Sequence, residues 1–430
     1  MSIVAIRDLK EHAGETVTVQ GWLYNRRSSK KIHFLLVRDG TGIVQGIVPK
    51  ADVDEALFES AGQLAQECSL RVTGEVRLDE RAPGGVELRA SAFELVGGSA
   101  DYPLGKQDHG ADFLLTNRHL WLRSKRPTAT LRIRDTIIRA IRDYLHGRGF
   151  INVDAPMFTP NACEGTSTLF EVEYMDEQKA YLTQSGQLYM EAAAMALGKV
   201  YCLGPAFRAE KSKTRKHLTE FWMLEPEMAY ATLEDAMDLA EGTVAAIVSR
   251  VLEENRDDLD ALERDVSKLE AIVPPFPRLR YEEAAKILAD KTDFKFGDDL
   301  GAPDEDAIME GYDKPLLITH WPHEVKAFYM KRDESDDRWA LGVDMIAPEG
   351  YGEIVGGGER ATDQAFLESQ IDKHELPREA FDWYLDLRKY GSVPHAGYGL
   401  GLERVVSWVC GLQHVREAIP FPRTIYRIYP

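Results

Sequence analysis

Three short runs between residues 17 and 49, VTVQGWLYN, IHFLLVRD and IVQGIVP, carry apolar side chains at alternate or near-alternate positions. They are separated by the basic turn RRSSKK and a DGTG turn, and period-two alternation between such turns predicts β-strands. SLRVTGEVRL (69–78) and VELRASAFELV (86–96), joined by a turn at 79–85, predict two more. A five-stranded Greek-key barrel of the OB type fits this count. Residues 101–120, richer in Gly and polar residues, predict a hinge, so the expected domains are 1–100 and 121–430. Beyond the hinge the period changes. Between 128 and 150, Leu131, Ile133, Ile137, Ile138, Ile141 and Leu145 recur at helical spacing and stop at Gly147 and Gly149. FINVDAPMFTP then reads as a strand stopped by Pro156 and Pro160. A longer, acid-rich helical pattern covers 233–271, and the rest alternates short strands with helices.

Composition narrows the class. Hydrophobic residues make up 44% and charged ones 29%, and no apolar run approaches the roughly 20 residues of a membrane helix. The N-terminal stretch MSIVAIRDLKEHAGE has no basic segment followed by an apolar one, so a cytoplasmic protein is expected. Cys68, Cys163, Cys202 and Cys410 are not spaced like a zinc site and read as reduced, mostly buried thiols. A net charge of −19 argues against nonspecific coating of nucleic acid, which needs positive surface. The acid is unevenly placed, because residues 1–100 hold 12 Lys and Arg against 14 Asp and Glu.

The most informative segment is VYCLGPAFRAEKSKTRKHLTEFWMLEPEMAY, residues 200–230, which reads as two strands joined by a basic loop. Alternation puts Cys202, Gly204, Ala206, Arg208 and Glu210 on one face of the first strand, and Phe221, Met223, Glu225 and Glu227 on one face of the second. Such a floor offers an Arg to hold phosphate and a ring to stack a base. The loop residues Lys211, Lys213, Arg215, Lys216 and His217 would by themselves read as a solvated turn. GYGLGLERVVSWVCGL spaces Gly397, Gly399 and Gly401 at alternate positions, a bare surface for a planar base or a sign of tight packing, and then opens a helix with Arg404 in its first turn. VDMIAPEGYGEIVGGGER adds Asp344 and Glu353, oxygen ligands suited to Mg²⁺, and Arg360.

FRAE followed by a basic loop and HLTEF resembles motif 2 of the class II aminoacyl-tRNA synthetases. GYGLGLER resembles motif 3, and GFINVDAPMFTP resembles motif 1 with Pro156 as its proline. The order, with a barrel ahead, is similar to the aspartyl, asparaginyl and lysyl subclass. The resemblance implies an α+β protein: an N-terminal OB-fold β-barrel that binds the anticodon, and a catalytic domain with an antiparallel sheet flanked by helices. It also implies a homodimer built through motif 1, ATP and Mg²⁺ as cofactors, and tRNA as partner. Carried onto this chain, Arg208 would bind the α-phosphate and Phe221 would stack on adenine. Arg404 would meet the γ-phosphate and the other face of the base, Glu210 and His217 would lie against ATP, and Asp344 and Glu353 would hold the metal.

Where aspartyl members read QSPQLYK, with a lysine that pairs with the substrate carboxylate, this chain reads QSGQLYM, with Gly186 and Met190. EFWMLEPE, GEIVGG and the ending IPFPRTIYRIYP also look asparaginyl. The resemblance thus implies asparagine as substrate, ligated to its tRNA through an asparaginyl-adenylate. Arg360 would donate to the amide oxygen, Glu225 would accept from the NH₂ group, and Glu164 and Gln187 would hold the α-amino group. In the barrel, Arg26, Arg27, Phe34, Gln45 and Glu87 match anticodon-reading positions, although Phe34 also suits a core aromatic. Two alternatives remain: an aspartyl enzyme, relaxed in its choice of tRNA or not, against which Met190 argues, and a synthetase-derived ATP-dependent amidating enzyme, which would not need the barrel.

Overall fold

Alternation in the first hundred residues closes on itself. In the computed structural model, which describes residues 2–105, 107–175 and 178–430, strands β1 (Thr16–Ser28), β2 (Ile32–Arg38), β3 (Ile43–Pro49), β4 (Ser69–Leu78) and β5 (Val86–Gly97) form a closed barrel in the order β1-β2-β3-β5-β4. The β3–β5 pair is parallel and the other pairs antiparallel. Val17, Val19, Leu35, Val37, Val44, Val72 and Leu88 are buried inside it. Residues with the opposite parity face outward, as the two-residue side-chain period requires. The helix Glu55–Gln63, capped by Asp54 accepting from the Leu57 N–H, lies between β3 and β4.

The chain divides into two units, 1–111 and 112–430. The expected hinge is shorter than its composition suggests, because helices Ala111–Thr116 and Arg118–Trp121 occupy half of it. What orders them is distant in sequence. The Arg118 guanidinium, 1% exposed, donates to the carbonyls of Glu417, Ile419 and Pro420.

In the second unit, β6 (Ile151–Asn152), β10 (Lys199–Phe207), β11 (Glu220–Ala229), β12 (Arg278–Arg280), β13 (Leu316–Pro322), β15 (Asp336–Ala347), β16 (Gly352–Glu359) and β17 (His395–Gly401) make one sheet. Its order is β12-β13-β15-β16-β17-β11-β10-β6, with β14 (Arg332–Asp333) on β15. Among the described residues only the outer pairs β12–β13 and β6–β10 are parallel. A small sheet joins β7 (Phe158–Thr159), β8 (Phe170–Tyr174) and β9 (Gln178–Leu182). The single strand expected near residue 155 is thus two fragments in different sheets; Pro156 between them has no N–H to give to a ladder.

The helices Lys125–His146 and Leu233–Glu254 bury Ile133, Ile137, Ile141, Val244, Ile247 and Val251 with Leu224, Val355 and Leu400 of the sheet. Each such side chain contributes roughly 1.5–3 kcal/mol by leaving water. The second helix starts at a capping box in which the Thr232 N–H donates to Asp235 at 2.8 Å. Among the described residues no helix is long and apolar enough to cross a membrane, and all four cysteines are free and buried.

Candidate active site

A cavity of about 310 Å³ opens over β11, β16 and β17. Because side chains alternate, Phe221, Met223 and Glu225 of β11 line it, while Leu224 between them joins the core below. Gly356 and Gly357 of β16 and Gly399 and Gly401 of β17 add a wall without side chains. Gly397 serves a different purpose. A Cβ there would overlap the Glu227 carboxylate and the Pro226 carbonyl, so this glycine makes room for a buried acid rather than for a ligand.

At one end of the cavity Arg208, just past β10, lies with its guanidinium carbon 5.4 Å from the Phe221 ring centre and a nitrogen 3.8 Å from Glu164. Its buried Nε has no hydrogen-bond partner. Burial opposes its charge, but the carboxylates of Glu164, Glu210 and Glu353 hold it firmly protonated. Arg404, in the first turn of the helix Leu402–Cys410, donates to the Glu353 carbonyl at 2.7 Å and faces the Glu353 carboxylate at 3.4 Å. His217 bonds Thr214 Oγ1 and Ser212 Oγ through Nδ1 and has Glu210 at 3.8 Å from Nε2. Burial, with Arg404 nearby, lowers its pKa and keeps the ring neutral at pH 7. Arg208, Glu210, His217, Phe221, Glu353 and Arg404 all line this one cavity.

Glu164, Gln187, Glu225 and Arg360 also line the cavity. Glu225 is 5% exposed and accepts from Ser185 Oγ, from the Gly186 N–H at 2.8 Å and from the Cys202 thiol at 3.4 Å. Arg360 is gripped by Glu227 in a two-pronged pair at 3.0 and 3.1 Å, both side chains 1% exposed. Gln187 donates to Glu191 at 3.1 Å, a carboxylate with no exposure that also accepts from Tyr384, Arg388 and His395. Tyr329 donates to Glu164 at 3.4 Å. Met190 is not on the cavity wall; it shares a small core with Ala194, Val200 and Cys202, so its contribution is the absence of a cation rather than contact.

Asp344 and Glu353 flank Gly356: a Cβ on that glycine would lie 3.6 Å from Asp344 Oδ1 and 2.7 Å from Glu353 Oε1. Lys326 Nζ donates to Asp344 Oδ2 at 2.6 Å and sits 4.0 Å from the Trp321 ring centre. Burial, with Glu353 and Asp299 close by, raises the Asp344 carboxyl to about 7 even against Lys326. Hard oxygen donors in excess of nearby cations suit Mg²⁺. Among the described residues no three His, Cys, Asp or Glu side chains converge to hold a metal by themselves, so water and phosphate oxygens would complete the shell.

In the barrel Arg27 and Phe34 are direct cross-strand partners on β1 and β2, with the guanidinium carbon 5.8 Å from the ring centre. Arg27 also reaches Gln45 Oε1 at 3.4 Å, and Gln45 pairs in register with Glu87. Phe34 is half-buried on the outer face, while its neighbours His33 and Leu35 turn inward, so it is not a core aromatic. Burial and Asp79 push the Glu87 carboxyl up. Arg26 does not join this group. Adjacent residues of a strand point to opposite faces, and its guanidinium goes instead to the Ala61 carbonyl of the helix Glu55–Gln63 at 3.4 Å.

Several participants escaped sequence reasoning. Ser185 gave no signal, and Cys202 was placed on the floor by alternation without a role, because a serine and a thiol acquire meaning only beside Glu225. Glu403 stands in the GLER of the quoted motif, yet its task is visible only in three dimensions. It pairs with Arg134 at 2.8 Å and accepts from the Trp222 N–H at 2.9 Å, tying the helix after β17 to β11.

Residues 110–425 match the family model for class II tRNA synthetases (D, K and N), and residues 17–96 match that of the OB-fold nucleic acid binding domain. An asparagine–tRNA ligase of Sorangium cellulosum is 57% identical over 442 residues, covering 100% of this chain and 99% of that protein. One of Desulforamulus reducens is 56% identical, covering 99% of both. The crystal structure of asparaginyl-tRNA synthetase from Pyrococcus horikoshii complexed with asparaginyl-adenylate superposes with a TM-score of 0.96 at 43% identity, covering 99% of both chains.

Proposed function

From the premise that the chain belongs to the class II tRNA synthetases (D, K and N), we infer that its cavity activates asparagine with ATP and then passes it to tRNA. The activity is ATP-dependent ligation of asparagine to tRNA through asparaginyl-adenylate. The observation that carries the choice of amino acid is the charge at the inner end of the cavity. Arg360 is already neutralised by Glu227, and Glu225 adds a second carboxylate, so this end is acidic. An amide offers an acceptor to Arg360 and an N–H donor to Glu225, whereas aspartate would bring a third negative charge. The aspartyl and amidating readings have no such feature in their favour. Asparagine-dependent ATP–pyrophosphate exchange, run against each of the other amino acids, tests this: asparagine should be the preferred substrate, and a preference for aspartate would overturn it.

The chemistry follows from position. One carboxylate oxygen of asparagine attacks the α-phosphorus in line, the bond to the β-phosphate breaks, and pyrophosphate leaves. No protein nucleophile is required; alignment and charge neutralisation are. Arg208, with a free Nε and firm positive charge, takes the α-phosphate, where negative charge grows. Phe221 and Arg404 bracket the adenine, with His217 and Glu210 beside the nucleotide. Gln187 and Glu164 orient the α-amino group, Gln187 being set by Glu191. Asp344 and Glu353 would hold Mg²⁺, which supplies charge neutralisation at the phosphates when bound. In the second step a hydroxyl of the terminal adenosine of tRNA attacks the activated carbonyl and AMP leaves.

The barrel binds the anticodon, Phe34 stacking a base beside Arg27, and Gln45 and Glu87 reading edges. Because base–aromatic stacking is worth roughly 1–3 kcal/mol, Phe34→Ala should raise the KM for tRNA about 10–100-fold and leave exchange without tRNA unchanged. Equal KM values for variant and parent would remove Phe34 from the interface. The enzyme works in the cytoplasm as a homodimer, and the half-exposed apolar side chains Ile151, Met157 and Phe158 around Pro156 support that segment as the subunit contact.

A further inference from the structure

Glu225 is met from behind by donors of this chain. Ser185 Oγ donates to Oε1, and the Gly186 N–H at 2.8 Å and the Cys202 thiol at 3.4 Å both donate to Oε2. Cys202 is the register partner of Glu225 across β10 and β11, is 4% exposed, and is absent from the cavity lining. The close approach depends on a glycine: a Cβ on Gly186 would lie 2.6 Å from Cys202 Sγ and 2.9 Å from Ala155 Cβ. A carboxylate has about four lone-pair directions. Three are occupied, which leaves one for a donor in the cavity.

We propose that Ser185, the Gly186 N–H and Cys202 form a donor cradle that keeps Glu225 an ionised acceptor, which makes Ser185 and Cys202 positioning residues for the selection of amide over carboxylate. The proposal rests on the reading of Glu225 as the acceptor of the substrate NH₂ group. An ionised Glu225 accepts from asparagine and repels aspartate. Once protonated it donates instead, which suits a carboxylate oxygen of aspartate and costs asparagine a bond. Burial pushes the Glu225 carboxyl up, and the three donors, with Arg208 beyond them, pull it back down.

Apart from Arg208, whose pull is shared with Glu164, the surrounding charges are tied to one another and leave this balance to the cradle. On β10, Cys202 is protonated because burial raises its thiol far above the usual range, and the same holds for Cys163 on the loop before β8. Both therefore act only as neutral groups. Arg208 follows β10 and is neighboured by Glu164, Arg360 is tied to Glu227, and Glu191 on the helix Gln187–Leu197 is tied to Arg388 and His395.

The test is the ratio of kcat/KM for asparagine and aspartate in ATP–pyrophosphate exchange, followed from mildly alkaline to mildly acidic pH. In Cys202→Ala the pH at which selectivity is half lost should rise by about one unit, the size expected for one hydrogen bond to a charged acceptor. Cys202→Ser should restore the parent profile because it keeps a donor. Ser185→Ala should shift in the same direction as Cys202→Ala, so the test does not hang on one variant folding. Profiles for both alanine variants that superimpose on the parent overturn the cradle and leave the role of Glu225 standing, as does a loss of selectivity equal at every pH. A parent enzyme with no preference for asparagine at any pH overturns the proposed function first, and the cradle with it.

Discussion

Arg208→Ala should lower asparagine-dependent ATP–pyrophosphate exchange by roughly 10²–10³-fold or more, the range found when one preorganised donor to a developing anion is lost. The fold should survive. Arg208 has little structural employment: its nearest groups are Met223 Sδ at 3.8 Å, Glu164 at 3.8 Å and the Phe221 ring, and its Nε bonds nothing. A half-buried cation with slack contacts and an unspent donor is built for a ligand. Thermal unfolding of the variant should stay close to the parent while kcat falls. Arg208→Lys should recover only part of the loss, since an ammonium keeps the charge and gives up the planar fork. Parent-like exchange in the alanine variant would remove Arg208 from the nucleotide site.

Glu225→Gln should collapse the preference for asparagine over aspartate by on the order of 2–3 kcal/mol, roughly 10²-fold. The glutamine can be seated without unfolding the site. Its carbonyl oxygen can take the Gly186 N–H and the Cys202 thiol, and its NH₂ can turn to Ser185, whose hydroxyl is able to accept as well as donate. Two changes then act together on the substrate end. Asparagine loses part of its acceptor, so its kcat/KM falls, and aspartate no longer faces a second carboxylate, so its kcat/KM holds or rises. Measuring both substrates is therefore essential. If the full preference for asparagine persists in the variant, discrimination lies elsewhere, and the charge reading of this pocket fails.

What the sequence made legible is what depends on local spacing. The two strands around the basic loop placed Arg208, Phe221 and Glu225 on one cavity because a strand has a period of two, and the turn-bounded alternation before residue 97 closed into the expected barrel. The same rule, pressed further, would have separated Arg26 from Arg27, which the match to anticodon-reading positions did not do. Gly397 was grouped with Gly399 and Gly401 by spacing, yet its neighbour is Glu227 of another strand, and only the pairing of β11 with β17 reveals that. The counter-ion of Arg360 was hidden for the same reason. Glu225 and Glu227 are equivalent in pattern, and the fold gives the arginine to the second while surrounding the first with uncharged donors. The helices inside the region read as a hinge gave no local signal, since the acceptors that order Arg118 lie near the other end of the chain, whereas the boundary between the two units does fall within that region.

That last arrangement bears on how the molecule comes into being. Arg118 and the Pro420 carbonyl are 302 residues apart, and Arg134 donates to Ala418 across a comparable span. At roughly 5–20 residues per second of translation, these acceptors emerge about 15–60 s after the cations they serve. Among the described residues the barrel strands take their ladder partners from one another, with a bridge from Ile3 to Thr18, and are complete long before. A ribosome paused short of residue 417 thus carries a finished anticodon module followed by helices whose Arg118 and Arg134 guanidinium groups are still held by water rather than by their backbone acceptors, beside a sheet whose last strand, ending at Gly401, has barely been made. Throughout that interval the acceptors of Arg118 and Arg134 are missing, and a synonymous change that slows the last stretch lengthens it without altering one amino acid.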